Sequence, residues 1–384
     1  MTIRGTLALG EAARRTWGAA VVGAGPAGAL AAHELARRGV ATLLIDQAAF
    51  PRAKVCGCCL SARGIATLAA AGLGDLPARC GAVPLRAFEL AAGGASARLA
   101  VSGVVLSRGA LDAALVGAAV AAGAHFLPQA RAALVAGGGA AGTVRLVSVP
   151  PGGAVAVRAR CVLAADGLGG QLLTRAGVGE APAAAGARVG VGAVSAEAPA
   201  YYRAGTVYMA CGARGYVGLV RLEDGRLDVA AALDAAWVRA SGGPGRAALP
   251  LLAAAGLPPV PGLLDLAWRG TPALTRRATR VAGERLFVLG DAAGYVEPFT
   301  GEGMAWALAG GLAVAPLAAE AARRWRPSLA AAWAATYRRV VVRRQYLCRA
   351  AAAVLRRPLL ARAIVRVLAR VPALATPLLR HLNR

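Results

Sequence analysis

The sequence predicts an α/β chain: a doubly wound nucleotide-binding fold, interrupted by an inserted antiparallel β-sheet and closed by a helical C-terminal tail. Three observations carry this. A glycine-rich strand–turn–helix stands near the N-terminus, two later apolar runs each end in an acid, and the stretch between those runs alternates as β-structure.

The first element is the run Ala19-Ala20-Val21-Val22, followed by Gly23-Ala24-Gly25-Pro26-Ala27-Gly28. Gly23 permits a tight turn out of the strand, Gly25 lets backbone N–H groups approach a pyrophosphate, and Gly28 lets the next helix sit close to the sheet. The helix Ala29–Arg38 stops at Gly39, and Ala41–Ile45 forms a second strand that delivers Asp46, an acceptor for ribose hydroxyls. A second G-x-G-x-x-G match at Gly137, Gly139 and Gly142 is rejected: the alternating strand Thr143–Val147 follows it, so it reads as a hairpin loop.

Further along, Ser61–Leu73 predicts a helix ending at Gly72 or Gly74, and Val83–Val105 predicts short strands broken by Gly93-Gly94. Ser107 caps a helix that runs to Ala122 and stops at Gly123. Arg160–Ala165 is a buried strand leading to Asp166-Gly167. From Ala187 to Leu233 the period changes to two, with a turn at Glu223–Arg226. A proline-rich bridge at 257–261 precedes the last buried strand, Arg285–Leu289, which ends in Gly290-Asp291. The resulting division assigns 14–75, 104–178 and 275–330 to the nucleotide-binding part, 76–103 and 179–274 to a β-rich substrate part, and 331–384 to a basic helical tail.

Composition narrows the class. With 384 residues the chain can bury a large core. The apolar run Met304–Ala319 contains Gly310, Gly311 and Pro316 and reads as a buried helix, not a membrane span. The N-terminus has no secretory pattern, and seven cysteines at irregular spacing beside a nucleotide motif argue for a reducing, cytoplasmic setting. Cys56-Gly57-Cys58-Cys59 lacks a partner pair and fits no zinc spacing, so no metal is expected. Only three histidines exist, His33, His125 and His381, and none sits where a general base is expected.

The net charge of +25 is uneven: residues 321–384 carry 15 arginines and no acid. Arg362, Arg366 and Arg370 lie four apart in an amphipathic segment with Leu360, Ile364, Val367, Leu368 and Val371 mostly on other faces. That segment either packs its apolar face on the protein or lies on an anionic membrane surface. Nucleic acid is not indicated, because no recognition module or aromatic interleaving accompanies the charge. Lys54 is the one lysine among 44 basic residues.

These motifs resemble the flavoprotein superfamily that contains p-hydroxybenzoate hydroxylase, flavin halogenases and geranylgeranyl reductases. The resemblance is carried by the Gly23–Gly28 unit with Asp46, by Arg108 in its R-x-x-L-D stretch, by Asp166-Gly167, and by the run from Gly290 to Met304. It implies a Rossmann-like FAD-binding domain of the glutathione reductase type 2 kind. Gly23, Gly25, Pro26, Ala27, Gly28, Asp46, Arg52, Arg108, Asp166, Gly167, Gly290, Asp291, Pro298, Gly301, Glu302, Gly303 and Met304 would hold the cofactor. Pro51–Leu60 and the G-D-A-A-G…P-x-T-G-E-G run look most like the geranylgeranyl reductase branch, which implies a bulky apolar substrate of isoprenoid or polyketide type. The branch's aromatic Y-x-W-x-F-P strand is replaced here by Tyr216-Val217-Gly218-Leu219-Val220. Tyr295, Glu297, Glu302, Tyr216 and Cys56 are the candidate proton donors, with Cys56, Tyr295 and Glu297 taken as catalytic, and a reduced nicotinamide, NAD(P)H, is the transient electron donor. The competing reading is a flavin monooxygenase using NAD(P)H and O2; halogenation is disfavoured because no W-x-W-x-I-P segment is present.

Overall fold

The structure is a computed structural model describing residues 3–135, 142–148, 153–170, 172–175, 177, 179–297, 299 and 301–377, with side chains omitted for 135 and 142–148. Of the sequence motifs, Gly137, Gly139, Pro298, Thr300 and His381 lie outside these residues.

Five parallel strands form the centre of the eight-stranded first sheet, in the spatial order His125–Leu127, Thr42–Ile45, Thr16–Val22, Ala154–Ala164 and Leu286–Val288, with Ala282–Gly283 antiparallel at the last one's edge. The interior strands are apolar on both faces, as a sheet covered on both sides requires. The antiparallel strands Ala130–Val135 and Gly142–Ser148 extend from Ala154–Ala164, so the rejected glycine motif does lead into a strand at Gly142. The helix Pro26–Arg37 packs against both Arg108–Ala121 and Gly303–Arg323. Gly303–Arg323 is long and apolar enough to span a membrane by length and composition, but it is mostly buried against the sheet and its helical neighbours, as the sequence predicts.

The second sheet collects strands distant in sequence: Arg269–Ala273, Val189–Ser195, Leu227–Leu233, Gly215–Arg221, Thr206–Gly212, Val83–Ala92, Ala95–Val105 and Cys59–Ser61. Two features differ from the expected antiparallel insert. Thr206–Gly212 runs parallel to Val83–Ala92, making the sheet mixed. Cys59–Ser61, assigned by sequence to the nucleotide-binding part, pairs with the edge of this sheet. The region 83–105 forms one long hairpin instead of several short strands, because Gly93 (φ 56°) and Gly94 (φ 74°) supply a left-handed two-residue turn that pairs Ala92 with Ala95; the register shifts only between Leu85 and Ala87. The edge strand Arg269–Ala273 escaped the sequence reading, since its Arg-Gly-Thr-Pro-Ala composition carries no β-signal; Pro272 is tolerated at an edge.

Where Pro26–Arg37 crosses Gly303–Arg323, a Cβ on Gly311 would collide with the Ala27 carbonyl oxygen, whereas one on Gly310 would meet nothing within 4 Å. Gly311→Ala should therefore lower stability by about 1–3 kcal/mol through overpacking. Gly310→Ala should be neutral or stabilising by up to about 1 kcal/mol. Thermal unfolding of the two variants side by side checks the pair, and equal shifts would refute the crossing geometry.

Candidate active site

The first strand ends at Val22, and Gly23 turns the chain with φ 103°, a conformation open mainly to glycine. A Cβ there would strike the Ala165 carbonyl oxygen, and one on Gly28 would strike that of Gly23. Both glycines thus serve close approach, as the motif predicts. Gly25 differs: its Cβ would point at the guanidinium groups of Arg52 (3.6 Å) and Arg108 (3.7 Å), toward the crevice. The helix Pro26–Arg37 that follows has no side chain capping its N-terminus.

Around this turn lies a chain of charges. The Asp46 carboxylate accepts from the backbone N–H of Ala24 at 2.8 Å and of Ala48 at 2.9 Å, so the acid expected at a ribose also pins the glycine loop. Arg52 Nη2 stands 3.5 Å from Asp46 and 3.4 Å from Asp112. Asp112, fully buried, receives two hydrogen bonds of 2.9 Å from Arg108 Nε and Nη2. Asp112 was not among the residues predicted for the site, although its position one helical turn after Arg108 was a usable signal. Arg52 Nε is buried and has no hydrogen-bond partner, which leaves a donor for an incoming acceptor.

From the opposite side the last parallel strand delivers Gly290-Asp291 in a single turn of 3-10 helix. Burial pushes the Asp291 carboxyl up from its ordinary range, and the cations Arg108 and Lys54 oppose that shift. Lys54 answers in the other sense, its ammonium pKa lowered by burial and then by Arg52 and Arg108. Gly301 (φ 75°), Glu302, Gly303 and Met304 form the N-terminus of the long helix Gly303–Arg323, again without a side-chain cap. Two uncapped helix N-termini and the side chain of Arg52 thus line one cavity of about 1260 Å³, larger than the ~300–1,000 Å³ of ordinary small-ligand sites. These donors fit a dinucleotide: the first helix end with Arg52 and Arg108 can hold a pyrophosphate, and the second can meet the oxygens of a flavin ring.

Among the three acids expected to converge, Asp46, Asp166 and Asp291 all line this cavity. Asp166 also has a local task, accepting from the Leu172 backbone N–H at 3.0 Å. Gly167 (φ 77°) and Gly290 (φ 62°) both need the left-handed region, which explains glycine after each strand.

The candidate proton donors separate. Cys56 lines the cavity, and its thiol pKa is held down by the Cys58 thiol and by the positive charge of Arg108. Cys58, buried and held at φ 52°, is pushed up by that same hydrogen bond. Tyr295 also lines the cavity, and burial raises its hydroxyl well above the ordinary tyrosine range. Glu297 is a correction: it is 1% exposed, does not line the cavity, and pairs with Arg188 at 3.0 Å and Arg356 at 3.7 Å. Its carboxylate closes a buried ion pair between residues 109 apart, which no local sequence pattern announces. His33 bridges to the Ala71 and Ala118 carbonyls and His125 packs edge-on against Trp17, both structural placements. Among the described residues none of the seven cysteines forms a disulfide, and no group of three or more His, Cys, Asp or Glu could hold a metal ion.

Beyond Cys56 the cavity continues under the second sheet. Leu85, Phe88, Val207, Met209, Tyr216 and Phe299 line this part, with Phe299 edge-on to both Phe88 and Tyr216. Gly218 and Ala230 keep the sheet floor open, where larger side chains would fill it.

A family model described as "FAD binding domain" matches residues 17–224, more than half of the chain. A menaquinone reductase of Mycobacterium tuberculosis is 56% identical over 54 residues, a segment covering 14% of this chain and 13% of that protein. The flavin-dependent brominase Bmp2 superposes with a TM-score of 0.78 at 15% identity, covering 96% of this chain and 94% of that one. A flavoprotein/dehydrogenase from Cytophaga hutchinsonii gives 0.69 at 17% identity, covering 80% and 78%. At these identities the two structures establish the fold alone.

Glu302 supplies a pH test. Burial raises its carboxyl to about 7. A raised acid costs stability once the unfolded chain ionises, so the protein without bound ligand should weaken as pH climbs from about 4.5 to 7 and then level off. The full effect is roughly 3 kcal/mol at most. Glu302→Gln should flatten that slope in denaturation curves; an unchanged slope would show that Glu302 does not titrate there.

Proposed function

The chain belongs to the FAD binding domain family, and we propose that it is a FAD-dependent oxidoreductase of the p-hydroxybenzoate hydroxylase-like kind, geranylgeranyl reductase-like in acting on a bulky apolar metabolite of isoprenoid type. The observation that carries the substrate class is the aromatic and aliphatic chamber beside Cys56, whose wall of Phe88, Val207, Met209, Tyr216 and Phe299 offers an apolar molecule burial and few polar contacts. The local identity to a menaquinone reductase supports the same class, since menaquinone carries an isoprenoid chain.

Bound FAD supplies reversible two-electron transfer, and the protein supplies placement and protons. Arg52 and Arg108, held by Asp112, would hold the pyrophosphate of bound FAD, and Asp291 would accept hydrogen bonds from its hydroxyls. The wall aromatics exclude water and position the substrate. Cys56 and Tyr295 both line the cavity, and in this reading one of them delivers the proton that completes reduction. Electrons come from a reduced nicotinamide in this reading, with Arg131, Arg175 and Arg269 along the cavity available to its phosphates.

Asp291→Ala should lose FAD affinity by about 10- to 100-fold, the loss of a charge-assisted hydrogen bond, with far-ultraviolet circular dichroism unchanged. Flavin absorbance after gel filtration reads the result, and full retention of the yellow cofactor would remove Asp291 from the site. Incubation with reduced nicotinamide and candidate isoprenoids should yield products heavier by two hydrogens. Products heavier by one oxygen would replace the reductase by a monooxygenase.

A further inference from the structure

The helix Pro358–Arg370 uses only part of its apolar surface inside the protein. Ala361 and Val365 are buried and Leu368 is partly buried, and through them the helix packs along the hairpin strands Val83–Ala92 and Ala95–Val105. A second stripe on the same helix, Leu360, Ile364 and Val367, continues to Val371 at its end and remains open to solvent, together with Leu359 and Leu374. Six of the eleven exposed large hydrophobic residues in the described part of the chain lie between 359 and 374. Scattered exposed apolar residues need no explanation; a run of them on one short helix does.

Charge accompanies the stripe. Arg362, Arg366 and Arg370 lie along one flank of the helix, are exposed, and have no acidic partner among the described residues. The segment 321–384 contains no acid to neutralise them. An apolar stripe edged on one flank by permanent cations, and anchored to the protein on the other, is complementary to an anionic bilayer: the stripe enters the acyl boundary while the guanidiniums reach the headgroups. We propose that this helix is a docking surface for an anionic lipid membrane. The surface follows from the helix itself and does not depend on which substrate the flavin site takes. Its buried side joins the same apolar cluster as Val207, Met209, Tyr216 and Phe299, so docking would bring the bilayer to the wall of the substrate chamber.

The test uses the full-length, FAD-loaded protein in co-sedimentation with vesicles of phosphatidylcholine or of equimolar phosphatidylcholine and phosphatidylglycerol. The expected result is pelleting with the anionic vesicles only, weakened by salt. The triple variant Arg362→Gln, Arg366→Gln, Arg370→Gln should bind on the order of a hundredfold more weakly. The double variant Ile364→Glu, Val367→Glu should lose binding while retaining bound flavin, because both side chains are exposed and their replacement leaves the packed face intact. Three results would overturn the proposal: no vesicle binding by the parent protein, or equal binding by both variants; a parent dimer in light scattering that Ile364→Glu, Val367→Glu dissociates while vesicles go unbound; or tighter binding to duplex DNA than to vesicles that the same double variant leaves unchanged.

Discussion

The crevice is organised by alternating charges, Asp46, Arg52, Asp112 and Arg108, that join the end of one strand, the loop after it and the first turns of a helix 60 residues later. Asp112 has no exposure to solvent, so its carboxylate is compensated by the two guanidiniums, Arg108 through two hydrogen bonds and Arg52 at 3.4 Å; removing both would leave a buried charge without a partner, which is far more costly than losing a surface pair. Because Asp46 also holds the Ala24 N–H, the same chain of contacts sets the backbone of the glycine loop. Phosphate binding and fold integrity therefore share one set of atoms.

The second sheet is fastened to this arrangement at two places. The loop bearing Cys56 and Cys58 runs directly into the edge strand Cys59–Ser61, and Ser61 then begins the helix Ala62–Ala70. On the far side Glu223, in the turn between two strands of the second sheet, accepts from the Ser107 backbone N–H at 3.0 Å and hydroxyl at 2.6 Å. Ser107 is itself the N-cap of the helix that carries Arg108 and Asp112, its hydroxyl accepting from the Ala110 N–H at 3.2 Å. The chamber wall and the cofactor crevice are thus held in fixed relation by a cap that serves both.

Local features of the sequence reported local structure well. Glycine spacing, the Ser107 cap and the apolar strands ending in acids each express a constraint that acts within a few residues, and Gly23, Gly28, Asp46 and Asp291 stand where those constraints placed them. The amphipathic pattern of 359–371 likewise marked a real helix. What stayed hidden was non-local. The Arg188–Glu297 pair joins distant segments, and the parallel register of Thr206–Gly212 with Val83–Ala92 depends on a chain crossing that no periodicity records. Glu297 looked like a proton donor because its neighbours lie in a cofactor-binding run, yet a shift of two residues past Tyr295 takes it behind the cavity wall.

One consequence of composition meets one of position. Forty-three of the forty-four basic residues are arginine, whose charge is fixed at any pH a folded protein meets, while the single lysine side chain sits inside the crevice among Arg52, Arg108 and Asp291. Its ammonium gives up a proton more readily than a solvated one. The molecule's only side-chain primary amine is therefore also a comparatively nucleophilic one, and acylating chemistry directed at lysine has a single internal address: the place where the cofactor and its surroundings would be reported.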